Sequence, residues 1–292
     1  MVCKLCPREC GVKRLDNEGC GICGKGTSPV LARAGLHMWE EPCISGTRGT
    51  GAVFFSGCPL KCVFCQNYEI SEQGFGKSVS ISRLREIFFE LIEKGAHSID
   101  LVNPTHFTPV VCEALGDGLP VPVIWNSGGY ESVNTLRSIE GKIDVYLPDM
   151  KYALEEPAVR YSKAPRYFEL AKSAIMEMYR QVGDYEIDDE GLIRRGVIIR
   201  HLVLPNNLEN TFRVIDWVEE TFRPGQVLFS LMSQFTPTPN CAGFPELNRP
   251  LELWEHEQAV GYLMDSQIED GFYQEPESSN TSYIPIFDLS GI

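Results

Sequence analysis

Residues 57–67 are Gly57-Cys58-Pro59-Leu60-Lys61-Cys62-Val63-Phe64-Cys65-Gln66-Asn67, a Cys-x3-Cys-x2-Cys spacing. They directly follow the apolar run Ala52-Val53-Phe54-Phe55, which we predict to be a strand. Three thiolates on one short loop can hold three irons of a [4Fe–4S] cluster and leave the fourth iron open for a small ligand. A structural metal site would instead be closed by a fourth protein ligand. Spacing and position favour the cluster over the alternatives, which are three free thiols or part of a zinc site.

This spacing, with the aromatic residue Phe64 just before the last cysteine, resembles that of the radical S-adenosylmethionine (SAM) enzymes. The resemblance implies a [4Fe–4S] cluster on Cys58, Cys62 and Cys65 whose open iron binds the amino and carboxylate groups of SAM. It implies reductive cleavage of SAM to a 5′-deoxyadenosyl radical, with Phe64 at the SAM site. An electron donor of the flavodoxin or ferredoxin type is the partner that such chemistry requires.

Composition narrows the class of protein. The chain has 292 residues, of which 43% are apolar, enough for one large α/β domain or two small ones. The net charge of −14 argues against nucleic acid or an anionic membrane as a partner. The first residues lack the apolar core of a signal peptide, and no run is long enough to span a membrane, so we expect a cytoplasmic protein. Eleven cysteines in a reducing compartment indicate metal ligands rather than disulfides.

Apolar runs and helical patterns alternate from about residue 49 onward. The predicted strands are 52–55, 97–102, 121–125, 143–147, 197–204 and 226–232. The predicted helices are 82–94, 107–116, 131–139, 155–181, 208–222 and 250–269. Six such alternations predict a partial (β/α)6 barrel of parallel strands over residues 49–272. Residues 1–48 form a Cys-rich metal-binding segment without clear periodicity, and 273–292 form a tail over the surface.

Polar residues follow or end each predicted strand, where α/β folds gather their chemistry. The groups that could contact SAM as donors or acceptors are Asn103, Thr105, Asn126, Ser127, Asp149, Lys151 and Arg200. Asp149 could accept from a ribose hydroxyl or from the amino group, and Lys151 could donate to the carboxylate. Arg200 within a strand needs an anionic partner, either the SAM carboxylate or Asp149. Asn126 could instead belong only to a turn, and Arg200 to a structural ion pair.

From about residue 48 to 272 the chain resembles the pyruvate formate-lyase activating enzymes, in which an Asp-x-Lys element like Asp149-Met150-Lys151 contacts SAM. The Gly-Gly-Glu stretch that these enzymes carry after the second strand is absent, and residues 103–106 stand there instead. The chain is most similar to an uncharacterised iron–sulfur subgroup of their homologues. The motifs that carry this similarity are Leu5-Cys6-Pro7-Arg8-Glu9-Cys10-Gly11-Val12, Pro104-Thr105-His106-Phe107 and Arg200-His201-Leu202-Val203-Leu204-Pro205.

Five cysteines lie within the first 23 residues and predict a second metal site. Cys3, Cys6, Cys10 and Cys20 resemble a quartet shared with related proteins, and Cys23 is an alternate ligand. The spacing does not separate zinc from a second iron–sulfur cluster. A metal is expected, because a reduced segment of this composition buries too little apolar surface to fold unaided.

The sequence thus predicts an oxidoreductase that abstracts a hydrogen atom from a protein, a peptide or a small molecule, in the manner of a glycyl-radical activase. The alternative is a non-catalytic iron–sulfur or zinc protein that carries electrons or serves as a scaffold. Neither the substrate nor a catalytic proton donor is identified by any motif.

Overall fold

The computed structural model describes residues 2–16, 19, 21–275 and 285–292. Over these residues the chain forms ten strands and nine α-helices. The strands are β1 (Val30–His37), β2 (Thr50–Phe55), β3 (Lys77–Ser78), β4 (Ile99–Val102), β5 (Val123–Ser127), β6 (Val145–Pro148), β7 (Glu186–Ile187), β8 (Ile193–Leu202), β9 (Leu228–Met232) and β10 (Gly271–Tyr273). The α-helices are α1 (Pro42–Ser45), α2 (Tyr68–Ser71), α3 (Ile81–Glu93), α4 (Thr108–Leu115), α5 (Val133–Arg137), α6 (Glu155–Ser162), α7 (Tyr167–Val182), α8 (Leu208–Thr221) and α9 (Leu253–Met264).

The six predicted strands lie side by side and parallel, in the order β2, β4, β5, β6, β8, β9. β10 continues the parallel array beside β9, and β1 pairs antiparallel with β2 at the other side. Among the described strands the sheet is open, with β10 at one edge and β3 at the other. The predicted fold class, a partial parallel barrel with helices, is confirmed.

Side chains alternate between the two faces of the sheet along each parallel strand. Trp125 and Phe229 belong to the large core that the sheet forms with the helices. Ile124 and Leu228, their neighbours in sequence, pack on the opposite face in a separate cluster with Ile44 of α1. This second cluster closes one end of the barrel interior. Polar residues further along the same strands therefore face a space between this apolar floor and the strand ends.

No strand was predicted within residues 1–48, where the sequence shows no clear periodicity, but the structure has one there. β1 is an eight-residue strand within that segment and belongs to the same sheet as the barrel strands. β1 was not predicted because Arg33, Gly35 and His37 interrupt its apolar residues. Its pairing with β2 is also not visible in a short window of sequence. The division of the chain at residue 48 stays a prediction.

The predicted helical region 155–181 is two helices, α6 and α7. Lys163 and Arg166 between them have φ angles of 47° and 58°, and Pro165 lies between these two residues. Left-handed backbone and proline both interrupt the α-helical hydrogen-bond ladder. The break turns α7 so that its first residue, Tyr167, reaches the strand ends.

The end of the chain packs against β1. The amide of Ala34 donates to the carbonyl of Ser290 at 2.9 Å, and Leu289 donates to Ala32 at 3.1 Å. Phe287 is buried against Phe54 of β2. The predicted surface tail of 273–292 therefore includes a segment that is hydrogen-bonded to β1, while residues 276–284 lie outside the described part. No helix among the described residues is long and apolar enough to span a membrane.

Candidate functional site

A cavity of about 240 Å³ lies at the carboxyl ends of the parallel strands. It is lined by Cys58, Cys62 and Cys65 together with polar residues at or just after the ends of six strands. The lining residues that the sequence predicted are Cys58, Cys62, Phe64, Cys65, Asn103, Asn126, Ser127, Asp149, Lys151 and Arg200. The structure therefore brings the cysteine loop and most of the predicted SAM contacts to one space.

Hydrogen-bond donors point at two of the three cysteine sulfurs. The amide of Leu60 lies 3.4 Å from Cys58 Sγ, and the hydroxyl of Ser71 lies 3.3 Å from Cys65 Sγ. Burial raises the pKa of the Cys65 thiol to about 12. A thiol of this kind loses its proton when a metal binds the thiolate, and the proton is released to solvent. Donors to sulfur are the environment in which proteins hold metal-bound thiolates.

The cysteine loop, residues 57–67, packs against the amino-terminal segment. Gly57 has a φ of +87°, and a Cβ there would lie 2.6 Å from the carbonyl oxygen of Cys23 and 2.6 Å from Cγ of Lys25. The position therefore needs glycine for both its backbone angle and its close contacts. Arg8 donates from Nε to the carbonyl of Pro59 at 2.8 Å. Asn103, itself in a left-handed conformation, donates from Nδ2 to the carbonyl of Gly57 at 2.7 Å.

Asp149 is the centre of an ion-pair network at the wall of the cavity. Lys151 Nζ lies 2.6 Å from Asp149 Oδ2, and Arg200 Nε lies 2.9 Å from Asp149 Oδ1. Arg200 also donates from Nη1 to Glu40 at 2.9 Å and from Nη2 to Asn126 Oδ1 at 2.7 Å. Burial alone would raise the pKa of Asp149, but Arg200 and Lys151 overcome it and hold the pKa below its usual value. Arg200 is therefore paired with Asp149, one of the two partners expected from the sequence, and it also lines the cavity.

Tyr167 positions the strand-end segments that carry Asp149 and Lys151. Its hydroxyl lies 2.7 Å from the carbonyl oxygens of both Gly128 and Asp149 and accepts from the amide of Lys151 at 3.0 Å. A Cβ on Gly129, whose φ is +72°, would lie 2.2 Å from the carbonyl oxygen of Asp149. The glycine thus allows the two strand ends to approach each other.

Thr105 is not brought to the cavity. It opens a short 3-10 helix, is buried, and donates from its hydroxyl to the buried carboxyl of Glu131. The residue next to it, His106, is also buried, with Nε2 at 2.8 Å from the carbonyl of Ser56. The turn after Asn103 carries both side chains out of the lining of the cavity, and a prediction from strand-end position alone cannot anticipate that turn.

Sequence reasoning missed the acidic pair Glu40 and Glu41, which line the cavity with His37 and Trp39. These residues lie between β1 and α1, a part of the chain where no strand was predicted. The adjacent carboxylates before Pro42 were visible as a motif, but only the folding of β1 against β2 turns them toward the barrel interior.

Cys3, Cys6 and Cys10 lie in a small hairpin on the cysteine-loop side of the barrel. The amide of Cys3 donates to the carbonyl of Val12 at 3.0 Å, and Gly11 donates to the carbonyl of Cys3 at 3.1 Å. Cys23 lies within electrostatic reach of Cys3 and Cys10, and burial raises its pKa. Cys20 lies outside the described residues, so its part in the predicted quartet is not seen.

Among the residues that the structure describes, no three Cys, His, Asp or Glu side chains converge on a point as ligands of one metal ion. A [4Fe–4S] cluster makes a different demand, because each thiolate binds a different iron and the sulfurs stand apart around it. Three sulfurs on one loop, with donors directed at two of them and an adjoining cavity, fit such a cluster with one open iron.

Comparison with known proteins gives one relative in sequence. The "Uncharacterized protein MJ0674" of Methanocaldococcus jannaschii is 30% identical over 269 residues, which cover 88% of this chain and 73% of that protein. The chain belongs to the family of this archaeal protein. No protein-family model matches the chain.

Solved structures share the fold at low identity. SuiB of Streptococcus suis superposes with a TM-score of 0.52 and 13% identity, over 75% of this chain and 47% of SuiB. SuiB bound to S-adenosylmethionine gives a TM-score of 0.48 and 12% identity, over 75% of this chain and 48% of SuiB. The chain thus spans about half the length of SuiB, and the likeness is one of fold.

Proposed function

We propose that the chain is a radical SAM enzyme, which cleaves SAM reductively and abstracts a hydrogen atom from its substrate. The observation that carries the proposal is the meeting of three cysteine sulfurs and the strand-end polar groups in a single cavity. An electron carrier or a scaffold needs a metal site, but it needs no enclosed space beside that site lined by charged and amide groups.

In this proposal Cys58, Cys62 and Cys65 hold three irons of a [4Fe–4S] cluster and leave the fourth open. When bound, the cluster and SAM supply a 5′-deoxyadenosyl radical by one-electron reductive cleavage, and this radical takes a hydrogen atom from the substrate. Asp149 and Lys151 offer one carboxylate and one ammonium to the ribose, amino and carboxylate groups of SAM. Phe64 offers an apolar wall. Neutral hydrogen-bond donors and acceptors come from Asn103, Asn126 and Ser127.

The finer proposal follows the resemblance to the pyruvate formate-lyase activating enzymes. The substrate would then be a protein or peptide, and a flavodoxin- or ferredoxin-type protein would deliver the electron. A second metal, zinc or iron–sulfur, would be held by Cys3, Cys6 and Cys10 with Cys20 or Cys23. The second metal site is supported by the packing of the amino-terminal segment against the cysteine loop, through Arg8 and Gly57.

Electron paramagnetic resonance of the anaerobically reconstituted, reduced protein tests the open iron. We expect the cluster signal to change when SAM is added, and SAM labelled with ¹⁵N at its amino group to give a hyperfine coupling. A Cys112→Ala variant, whose cysteine lies on α4 outside the cavity, controls for the removal of a cysteine in general. It should respond to SAM as the wild type does. A cluster whose signal is unchanged by saturating SAM would contradict the proposal and favour the carrier.

A further inference from the structure

The barrel interior beneath the cysteine loop carries more carboxylates than the proposed SAM contacts use. Arg200 of β8 and Ser230 of β9 are register partners in the parallel sheet, so their side chains lie on the same face. Asp100 lies two residues before the cavity-lining Val102 on β4 and therefore also faces inward. Glu41 reaches the same interior from the segment before α1. We call Glu40, Glu41, Asp100 and Asp149 the acidic layer.

Charge in this region is not balanced. The acidic layer has four carboxyl groups, and the cations that line the cavity are two, Lys151 and Arg200, which leaves an excess of two carboxyls. Both cations are engaged by Asp149 and Glu40. Among the described residues Glu41 and Asp100 form no ion pair. His37 adds no positive charge near neutral pH, because burial lowers its pKa.

Two buried polar atoms in the same region lack hydrogen-bond partners within the described structure, Asp100 Oδ1 and Ser230 Oγ. Both residues are fully buried. Ser230 lies close enough to Glu41 to lower its pKa, yet its hydroxyl makes no hydrogen bond of normal geometry. A buried polar atom without a partner is destabilising, and a ligand that completes its hydrogen bonds is one reason for a native protein to retain it.

Burial disfavours the charged form of the two carboxyls that lack an ion pair, Asp100 and Glu41. Burial, with Glu40 beside it, raises the pKa of Asp100 well above its usual value, and burial raises that of Glu41 to about 7. A positive group that carries N–H donors would supply both a counter-charge and hydrogen bonds to carboxyls of this kind. A divalent metal ion fits less well, because no three of these carboxyls converge as ligands among the described residues.

We propose that the acidic layer binds a cationic nitrogen of the substrate, an ammonium or a guanidinium group. The proposal rests on the proposed function and names the chemistry of its substrate. Glu41 and Asp100 receive the N–H donors, and Glu40, held by Arg200 and Asn126, forms the wall beside them. The cation is carried either by a free small molecule or by a lysine or arginine side chain of a peptide, since both present the same group to the layer.

Isothermal titration calorimetry on the anaerobically reconstituted holoprotein, without reductant, tests the proposal. The probes are cadaverine against 1,5-pentanediol, and the peptide acetyl-Gly-Lys-Gly amide against the same peptide with norleucine. We expect at least one cation to bind tenfold or more tightly than its neutral partner. Cadaverine alone would identify a free amine as the source, and the lysine peptide alone a peptide side chain.

Glu41→Gln is the test variant and Glu257→Gln, an exposed position on α9, is the matched control. We expect Glu41→Gln to lose tenfold or more of the affinity for the cation, and Glu257→Gln to keep it. Loss of one unpaired buried carboxyl should leave the melting temperature of Glu41→Gln equal or higher, which separates binding from folding. Equal affinity for cationic and neutral probes would overturn the proposal, as would a Glu41→Gln variant that weakens binding of SAM alone. Cleavage of SAM by reduced wild-type protein is scored separately, so failure of this inference is distinguished from failure of the proposed function.

Discussion

Arg200 Nε lies 2.9 Å from Oδ1 of Asp149, an ion pair that joins β8, two residues before its end, to the residue that follows β6. Both side chains are largely shielded from water, with 13% and 12% of their surfaces exposed. The pair closes the wall of the cavity and fixes the carboxylate that we assign to SAM. If Asp149 binds SAM as proposed, stability and SAM binding depend on the same contact.

The first prediction concerns Arg200→Gln, which leaves Asp149 and Glu40 buried without this cation. We expect the free energy of unfolding to fall by about 3–5 kcal/mol, because removing one partner of a buried ion pair leaves an uncompensated charge. Chemical denaturation followed by tryptophan fluorescence measures it. Arg213→Gln is the control, because its pair with Glu209 is about 60% exposed on both sides and should cost less than about 1 kcal/mol. Equal losses in the two variants would refute the structural role given to Arg200.

The second prediction concerns Gly129→Ala. Its φ of +72° strains any side chain, and the new Cβ would meet the carbonyl oxygen of Asp149. We expect a loss of at least about 1–3 kcal/mol in the free energy of unfolding, together with weaker binding of SAM. Gly261→Ala in α9 has no atom within 4 Å of its Cβ and should instead stabilise the protein by up to about 1 kcal/mol. If both variants were stable and bound SAM normally, the close approach of the two strand ends would be wrong.

The third prediction concerns the pH dependence set by His201. Its Nδ1 donates to the carbonyl of Met150 at 2.6 Å and its Nε2 accepts from Thr211 at 3.0 Å, while burial lowers its pKa to about 4 from an ordinary value of 6.5. Between pH 6.5 and 4 the unfolded chain therefore binds a proton that the folded chain does not. The free energy of unfolding should fall as pH falls, by up to about 1.4 kcal/mol per pH unit from this residue.

In His201→Asn this part of the pH dependence disappears. The difference in the free energy of unfolding between wild type and His201→Asn should therefore shrink from pH 7 to pH 4.5. Thr211→Val keeps the imidazole. Its free energy of unfolding should be lower than that of the wild type but should change with pH at the same rate. Denaturation curves at several pH values measure both. Parallel curves for wild type and His201→Asn would count against a buried neutral histidine.

The fourth prediction concerns the amino-terminal metal. We expect Cys6→Ser to lose the metal of one site after anaerobic reconstitution, while Cys112→Ser keeps the full content. Cys23→Ser should behave as Cys6→Ser does, because Cys23 lies beside Cys3 and Cys10. Elemental analysis of each variant, with Cys20→Ser in the same series, identifies the fourth ligand. A full metal content in Cys6→Ser would remove the proposed site.

The features that could be predicted from the sequence are those set by residues close together in the chain. The parallel strands could be predicted because apolar runs and helical spacing are visible in a short window, and Asp149 and Lys151 because they follow such a run directly. β1 could not, since its mixed residues form a strand only by pairing with β2. Glu41 depends on that pairing and was missed with it. Thr105 was predicted at the cavity because strand ends gather chemistry, but the 3-10 turn after Asn103 directs it to Glu131 instead.

Formation of 5′-deoxyadenosine tests the central claim most directly. Anaerobically reconstituted wild-type protein is reduced with dithionite in the presence of SAM, and the nucleoside is quantified by liquid chromatography. We predict that wild type forms it and that Cys58→Ala, Cys62→Ala and Cys65→Ala, each confirmed to be folded, do not. No 5′-deoxyadenosine from a wild-type protein whose [4Fe–4S] cluster is intact and reduced would contradict the assignment of this chain to radical SAM chemistry.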